Sequence, residues 1–208
     1  NPIDAKEHIK LIANSYLYKD LFLLEQISKP VLLQKIVKAL ALQVGSEVNY
    51  NELGKLIQID NKTVEKYIDL LEKAFVIFKL PALSSNVRNE IKKGKKIYFY
   101  DNGIINAVTG NFNPLAQRTD IGSLWENYII SERVKHLNIQ QNEANSFFWR
   151  TTQQQEIDYI EIKEDQILAC EIKWNVKTKY KIPVTFSTNY NNVTSKIVTP
   201  DTYEEFLL

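Results

Sequence analysis

The 208-residue chain has no methionine, one cysteine, two histidines, six glycines and six prolines. A lone cysteine excludes an internal disulfide. Cys170 stands between Ala169 and Glu171 in a strand-like run, where a small buried packing residue is expected rather than a nucleophile. His8 and His136 lie far from any paired acid or second cysteine, which excludes a His/Cys zinc cluster and a catalytic triad. Charge of one sign is also lacking: 26 Lys and Arg against 25 Asp and Glu leave a net +1. Nothing global therefore draws the chain to nucleic acid or membrane, and any such role falls to local patches. No apolar run approaches the ~20 residues of a membrane span, and no signal peptide is visible; a cytoplasmic location, without membrane partners, is expected. No G-x-x-x-x-G-K-[ST] loop occurs, so these residues are expected not to hydrolyse ATP. The missing methionine and the start at Asn1-Pro2-Ile3 lead to the expectation that translation begins further upstream. What remains is an ordinary globular composition, 44% hydrophobic and 25% charged, sufficient to bury a core.

The first half reads as helices and then a hairpin. Asp4 to Ile27 carries Ile9, Ile12, Tyr16, Leu17, Phe22 and Leu23 at helix-like spacing. Only Ser28-Lys29-Pro30 separates it from the apolar run that begins at Val31, so residues 1–30 are expected to pack on the next module. Between Val31 and Val44, Leu32, Leu33, Ile36, Val37 and Leu40 mark a core-facing helix ended by Gly45. Asn49 or Asn51 caps a second helix, and Asp60 or Asn61 a third with its stripe on Thr63, Val64, Tyr67, Ile68, Leu71 and Phe75. Strand-like runs over 76–80 and 95–100 flank a polar tip. Three helices, a tight turn between the last two and a β-hairpin form the winged helix-turn-helix pattern over 31–100. Lys62, Lys66 and Lys73 of the third helix are offset by Asp60, Glu65, Asp69 and Glu72. The tip is more basic: Arg88, Lys92, Lys93, Lys95 and Lys96 outnumber Glu90 and are candidate phosphate-backbone contacts, as are Lys177 and Lys179 further on.

Residues 101–118 read as a connector with turn chemistry at both ends and a short apolar helix between. From 119 to 208 the expected order is helix, three strands, short helix, strand, and a last helical turn. The helix runs over Asp120 to Leu137, apolar at Ile121, Leu124, Trp125, Tyr128, Ile129 and Leu137. Ser123-Leu124-Trp125-Glu126 also fits a capping box, with Ser123 as the cap. The informative stretch is Glu156-Ile157-Asp158-Tyr159-Ile160-Glu161-Ile162, a charged break, and Gln166-Ile167-Leu168-Ala169-Cys170-Glu171-Ile172-Lys173. A turn centred on Glu164 and Asp165 pairs Ile162 with Ile167, Ile160 with Ala169, and Asp158 with Glu171. Opposed carboxylates ~4.5–5.5 Å apart at Cβ destabilise a bare sheet, yet they suit a hard divalent cation, which takes oxygen ligands. Lys173 falls on the face of Glu171. The same register also allows an ordinary Lys173–Glu156 ion pair. Gln153, Gln154 and Gln155 form a polar loop before the strand.

This order, with Glu126 on the helix, Asp158 on the second strand and Glu171-x-Lys173 on the third, resembles the restriction-endonuclease-like PD-(D/E)XK fold. The resemblance implies an α+β, or α/β, αβββαβ domain in which Asp158 and Glu171 bind Mg²⁺ or Mn²⁺, Glu126 assists the metal, and Lys173 is the catalytic lysine. Ile157 stands where that motif has proline. Over nearly the full length, Tyr18-Lys19-Asp20-Leu21, Lys96-Ile97-Tyr98-Phe99-Tyr100-Asp101-Asn102-Gly103, Gly122-Ser123-Leu124-Trp125-Glu126-Asn127, Glu156-Ile157-Asp158-Tyr159-Ile160 and Cys170-Glu171-Ile172-Lys173-Trp174 resemble the C-terminal region of a prokaryotic AAA-type P-loop ATPase family. In that family a winged helix precedes an uncharacterised nuclease-like domain (domain of unknown function 4143). The resemblance implies that ATP binds only in the absent N-terminal ATPase domain, which is then a partner, alongside DNA. It leaves two functions open: a metal-dependent nuclease delivered to DNA by the winged helix, or a non-catalytic DNA- or protein-binding regulatory module with a vestigial nuclease fold.

Overall fold

The computed structural model describes residues 2–15, 17, 30–84 and 94–207. Among them the chain is mixed α and β, with eight helices and two sheets. It divides into two compact units, one of residues 1–79 and 97–119, the other of 80–96 and 120–208. No described helix is long and apolar enough to cross a membrane.

In the first unit, helix α1 spans Pro2–Asn14 and α2 spans Pro30–Leu42. Helix α2 buries Leu33, Ile36, Val37, Leu40 and Ala41, the stripe that its sequence period predicts. It stops short of Gly45, whose φ of 76° is the left-handed conformation that glycine adopts without strain. The two-residue strand β1, Glu47–Val48, leads to α3, Tyr50–Ile57. The Asn49 side chain caps α3 by accepting from the backbone N–H groups of Asn51 and Glu52. Gly54 of α3 packs so close to the turn that a Cβ would lie 2.7 Å from the Ile59 carbonyl oxygen. That close approach lets α4, Asn61–Lys73, start immediately, capped by Asp60 through Thr63 N. Strands β2, Ile77–Pro81, and β3, Lys95–Phe99, complete a three-stranded sheet in the order β1-β3-β2. Residues 16, 18–29 and 85–93, which hold the rest of the first apolar stretch and Arg88, Lys92 and Lys93, lie outside the described residues. Helix α5, Asn102–Thr109, is the short apolar helix of the connector, capped by Asp101 and closed by Gly110.

In the second unit, α6 spans Ile121–Ile139, followed by strands β4 (Asn145–Arg150), β5 (Glu156–Lys163) and β6 (Gln166–Ile172). Helix α7 (Val184–Asn189), strand β7 (Val193–Val198) and helix α8 (Tyr203–Leu207) complete it. The sheet order is β4-β5-β6-β7; only β6 and β7 run parallel, and α7 lies in the crossover between them. One face of the sheet carries the core of Trp149, Ile157, Ile160, Ile167, Ala169 and Phe186, joined by Leu83. Leu83 explains why residues 80–96, which the sequence assigns to the winged helix, cluster here. Its N–H donates to the Phe148 carbonyl at 2.7 Å, and Ala82 bridges Phe148 in parallel. Alternation puts Tyr159, Glu161 and Cys170 on the opposite face, where the Tyr159 ring meets Phe206 of α8 at 6.0 Å. Cys170 is fully buried, and burial pushes its thiol up to about 12, consistent with a packing role. The expected buried face of α6 holds for Leu124, Trp125, Ile129 and Leu137, whereas Tyr128 is exposed. Its ring lies at the rim of an aromatic cluster with Trp125 and Tyr203.

Candidate active site

The β5–β6 hairpin has the register that its sequence predicts. Ile162 pairs with Ile167 and Ile160 with Ala169, around a two-residue turn in which Glu164 is left-handed. Against β4, by contrast, β5 slips by one residue: Phe147 pairs with Ile160 but Trp149 with Ile157. Asp158 and Tyr159 thus stand together opposite Phe148, a β-bulge. Such an extra residue bends a strand and re-aims a side chain. It explains how Ile157 and Ile160, three apart, reach the same core.

The bulge also corrects one expectation. Backbone pairing between β5 and β6 ends at Tyr159–Cys170, one step before the expected Asp158–Glu171 pair. The Asp158 carboxylate takes over: its Oδ2 accepts from Ile172 N at 2.9 Å and from Lys173 Nζ at 3.2 Å. The Lys173 ammonium contacts Glu171 Oε1 at 2.7 Å. Both acids are buried, 6% exposed for Asp158 and 9% for Glu171, and they meet on one ammonium. The second Glu171 oxygen, Oε2, is buried with no hydrogen-bond partner. Burial and then Asp158 raise the Glu171 carboxyl above its ordinary value, with Lys173 opposing. Burial works against the charge on Lys173, but Asp158 and Glu171 outweigh it, and its pKa is raised.

Glu156 does not pair with Lys173. It holds Lys96 Nζ at 2.5 Å, with Arg150 Nε at 3.7 Å. Lys96 also reaches Glu126 Oε1 at 3.5 Å and lies 5.4 Å from the Phe148 ring centroid. Its assignment as a phosphate-backbone contact is therefore corrected: at 3% exposure its charge is spent on two half-buried acids, Glu126 and Glu156. Lys95, its neighbour, is half-buried. The capping-box reading of Glu126 is corrected as well, because α6 starts at Ile121, with Asp120 in the cap position, and Ser123 lies inside the helix. Lys177 and Lys179 are exposed on the segment after β6.

Tyr180, on that same segment, is a site neighbour that the sequence does not reveal. Its hydroxyl donates to the Glu156 carbonyl at 3.5 Å, and burial, followed by Glu171 and Asp158, raises its phenol. Gln155 of the polar loop also has a buried side-chain oxygen without a partner. A signal that Lys96 is buried was present: it leads directly into Ile97, Tyr98 and Phe99, three strand-prone apolar residues of one strand.

Among the described residues no three His, Cys, Asp or Glu side chains are disposed as a metal cage. Glu126 faces Lys96, leaving the Asp158–Glu171 pair. Two carboxylates, one with an unpartnered buried oxygen, fit Mg²⁺ or Mn²⁺, which completes its shell with water and phosphate.

Comparison with known proteins adds families of unknown function. Residues 2–115 match the family model described as "Domain of unknown function (DUF8612)", and residues 121–206 that described as "Domain of unknown function (DUF4143)". Uncharacterised proteins of Mycobacterium bovis and Mycobacterium tuberculosis are each 26% identical over 114 residues, 53% of this chain and 25% of theirs. An uncharacterised protein of Haemophilus influenzae is 24% identical over 151 residues, 70% of this chain and 34% of its own. The chain thus spans only a quarter to a third of the length of these relatives. No solved structure matches it significantly. Since the first family model covers more than half of its residues, the protein belongs to the family described as domain of unknown function DUF8612, and it carries a DUF4143 domain behind that segment.

Proposed function

We propose that the second unit is a restriction-endonuclease-like domain whose Asp158, Glu171 and Lys173 form a metal-dependent phosphodiesterase site acting on DNA in the cytoplasm. Residues 31–100 are then its winged helix, and the whole is the C-terminal part of an AAA-type ATPase. The observation that carries the reading is the orphaned, buried Oε2 of Glu171 beside Asp158. A buried carboxylate oxygen without a donor is costly unless a ligand satisfies it. Asp158 and Glu171 would hold Mg²⁺ or Mn²⁺, which supplies Lewis-acid polarisation of the phosphate and activation of water. Lys173, whose ammonium contacts both acids, acts as a donor that neutralises charge developing on the phosphate.

On this reading the charge of helix α4 is more basic than its composition suggests. Asp60 serves as its cap, while Asp69 and Glu72 pair with Lys79 at 2.5 and 2.8 Å. Lys62, Lys66 and Lys73 are then opposed chiefly by Glu65. The greater length of the relatives supports a further domain in the intact protein.

A second reading has its own observation. Lys173 already bridges both carboxylates, as in a site that has become an internal ion pair and serves a DNA- or protein-binding regulatory module. Two measurements separate the readings. Calorimetry with Mn²⁺ is expected to show binding to the wild type that Asp158→Ala abolishes; equal binding by both, or none by either, rejects the metal site. Plasmid DNA incubated with Mn²⁺ is expected to be nicked by the wild type and not by Lys173→Ala. Metal binding without nicking selects the regulatory module.

A further inference from the structure

Lys96 lies outside the αβββαβ segment, yet its ammonium is the most buried cation at the acid end of the sheet. Two carboxylates from different elements close on it, Glu156 of β5 at 2.5 Å and Glu126 of α6 at 3.5 Å, and the Phe148 ring lies 5.4 Å away. Phe148 is the residue opposite which the β5 bulge sets Asp158 and Tyr159. Four acids and two lysines are therefore arranged as two adjoining clusters: Glu126–Lys96–Glu156 and Asp158–Lys173–Glu171. They differ in access. The Lys173 side chain is 37% exposed and can swing out to make room for a ligand, whereas that of Lys96 is 4% exposed and walled in.

We infer that Lys96 is a positioning residue of the proposed phosphodiesterase site: a fixed internal cation that holds Glu126 and Glu156 away from a divalent ion and limits that ion to the Asp158–Glu171 pair. The inference rests on the metal reading of that pair. Its physical content is a charge effect of known sign. A buried lysine repels a dication bound at neighbouring carboxylates, and the low dielectric of the interior preserves the interaction at distances where water would screen it. Burial disfavours the lysine's own charge, but Glu126, Glu156 and Asp158 together hold it protonated. Removing the charge while the fold stays intact should strengthen metal binding and free Glu126 to join it. A purely structural lysine would do the reverse, because loss of its packing and ion pairs loosens the acids.

The test is Mn²⁺ calorimetry on the whole chain as wild type, Lys96→Met, Lys96→Arg, Glu156→Gln and the double variant Lys96→Met/Glu156→Gln, each checked for folding by circular dichroism. Lys96→Met is expected to bind Mn²⁺ about fivefold more tightly or better, and Lys96→Arg as the wild type does. Glu156→Gln, which leaves the lysine charge less compensated, is expected to bind about fivefold more weakly. Adding Lys96→Met to Glu156→Gln should restore affinity to the wild-type level or above. If Lys96→Met leaves the half-buried Glu126 and Glu156 without the lysine charge and fails to fold, the comparison of Glu156→Gln with the double variant still decides. Folded Lys96→Met with unchanged or weaker affinity, or a double variant no tighter than Glu156→Gln, overturns the role of Lys96 while the metal site stands. No Mn²⁺ binding by the wild type removes the metal reading itself, and this inference with it.

Discussion

Strand β5 carries two buried acids three residues apart that meet opposite fates. Glu161 is held by Arg133 through both oxygens, at 2.9 Å each; the remaining Arg133 nitrogen donates to the Phe206 carbonyl at 2.8 Å, and the guanidinium lies over the Phe206 ring. Tyr159 adds its hydroxyl to Glu161 at 3.4 Å and meets Ser146 at 2.7 Å. The network fastens α6 to β5 and to α8. At Asp158 the bonding is sparser: one lysine serves two carboxylates, and Glu171 Oε2 has no partner. Both clusters are charged and buried, so burial alone does not separate structure from function. Completeness does. A satisfied network specifies a fold, whereas the unsatisfied one beside like charge is the one that the proposed function gives a ligand.

The comparison is broken most severely at Arg133. Arg133→Met leaves Glu161 buried without its counter-charge, and urea unfolding should show a loss of about 3–5 kcal/mol; Mn²⁺ affinity of the folded variant should stay within about twofold of the wild type. A large loss of metal affinity there would mean that the two clusters are one. Asp158→Ala comes next. It deprives the buried Ile172 N–H of its acceptor and should cost about 1–3 kcal/mol. Glu171→Gln, which removes a charge already opposed by burial and by Asp158, should change stability by less than about 1 kcal/mol while abolishing Mn²⁺ binding. A cost at Glu171 equal to that at Arg133 would show that both clusters are structural.

The smallest effects are those of pH. Glu171 has a raised folded value, so the folded protein binds its proton more readily than the unfolded chain, and the residue becomes a penalty as pH rises through that value. Melting curves between pH 4 and 7 should therefore show Glu171→Gln gaining on the wild type as pH increases. Lys96 and Lys173 are raised too, so stability again falls as pH rises, here in the alkaline range. Their stabilisation is whole below the ordinary lysine value of 10.5 and is lost as pH rises through their folded values. An alkaline limb that Lys96→Met leaves unchanged would deny that its ion pairs contribute.

The hairpin register was legible because its apolar partners, Ile160 with Ala169 and Ile162 with Ile167, leave little choice, and the intervening Glu164-Asp165 has no use for a strand interior. The Asn49 and Asp60 caps were legible from residue type alone. The bulge was not: the adjacent apolar Tyr159 and Ile160 interrupt the alternation of polar and apolar residues, but only the pairing with β4 shows that the interruption is an extra residue. Lys96 was misread for a related reason. It adjoins a lysine-rich tip, and nothing in its own strand announces that Glu126 and Glu156 stand thirty and sixty residues away, ready to bury it. Strand β1, two residues long, is below the length at which any periodicity registers.

Counting residues along β5 has a consequence for how this protein tolerates change. Opposite Phe148 the strand has two residues where one would fill the space. Loss of one backbone unit between Ile157 and Ile160 would let the strand fall into step with β4. Ile157 would then stand two residues from Ile160 and keep its face by simple alternation, whereas an acid between them would be turned to the opposite face and lose its hold on Ile172. The surplus unit thus ties the chain length of β5 to the direction in which its acid points.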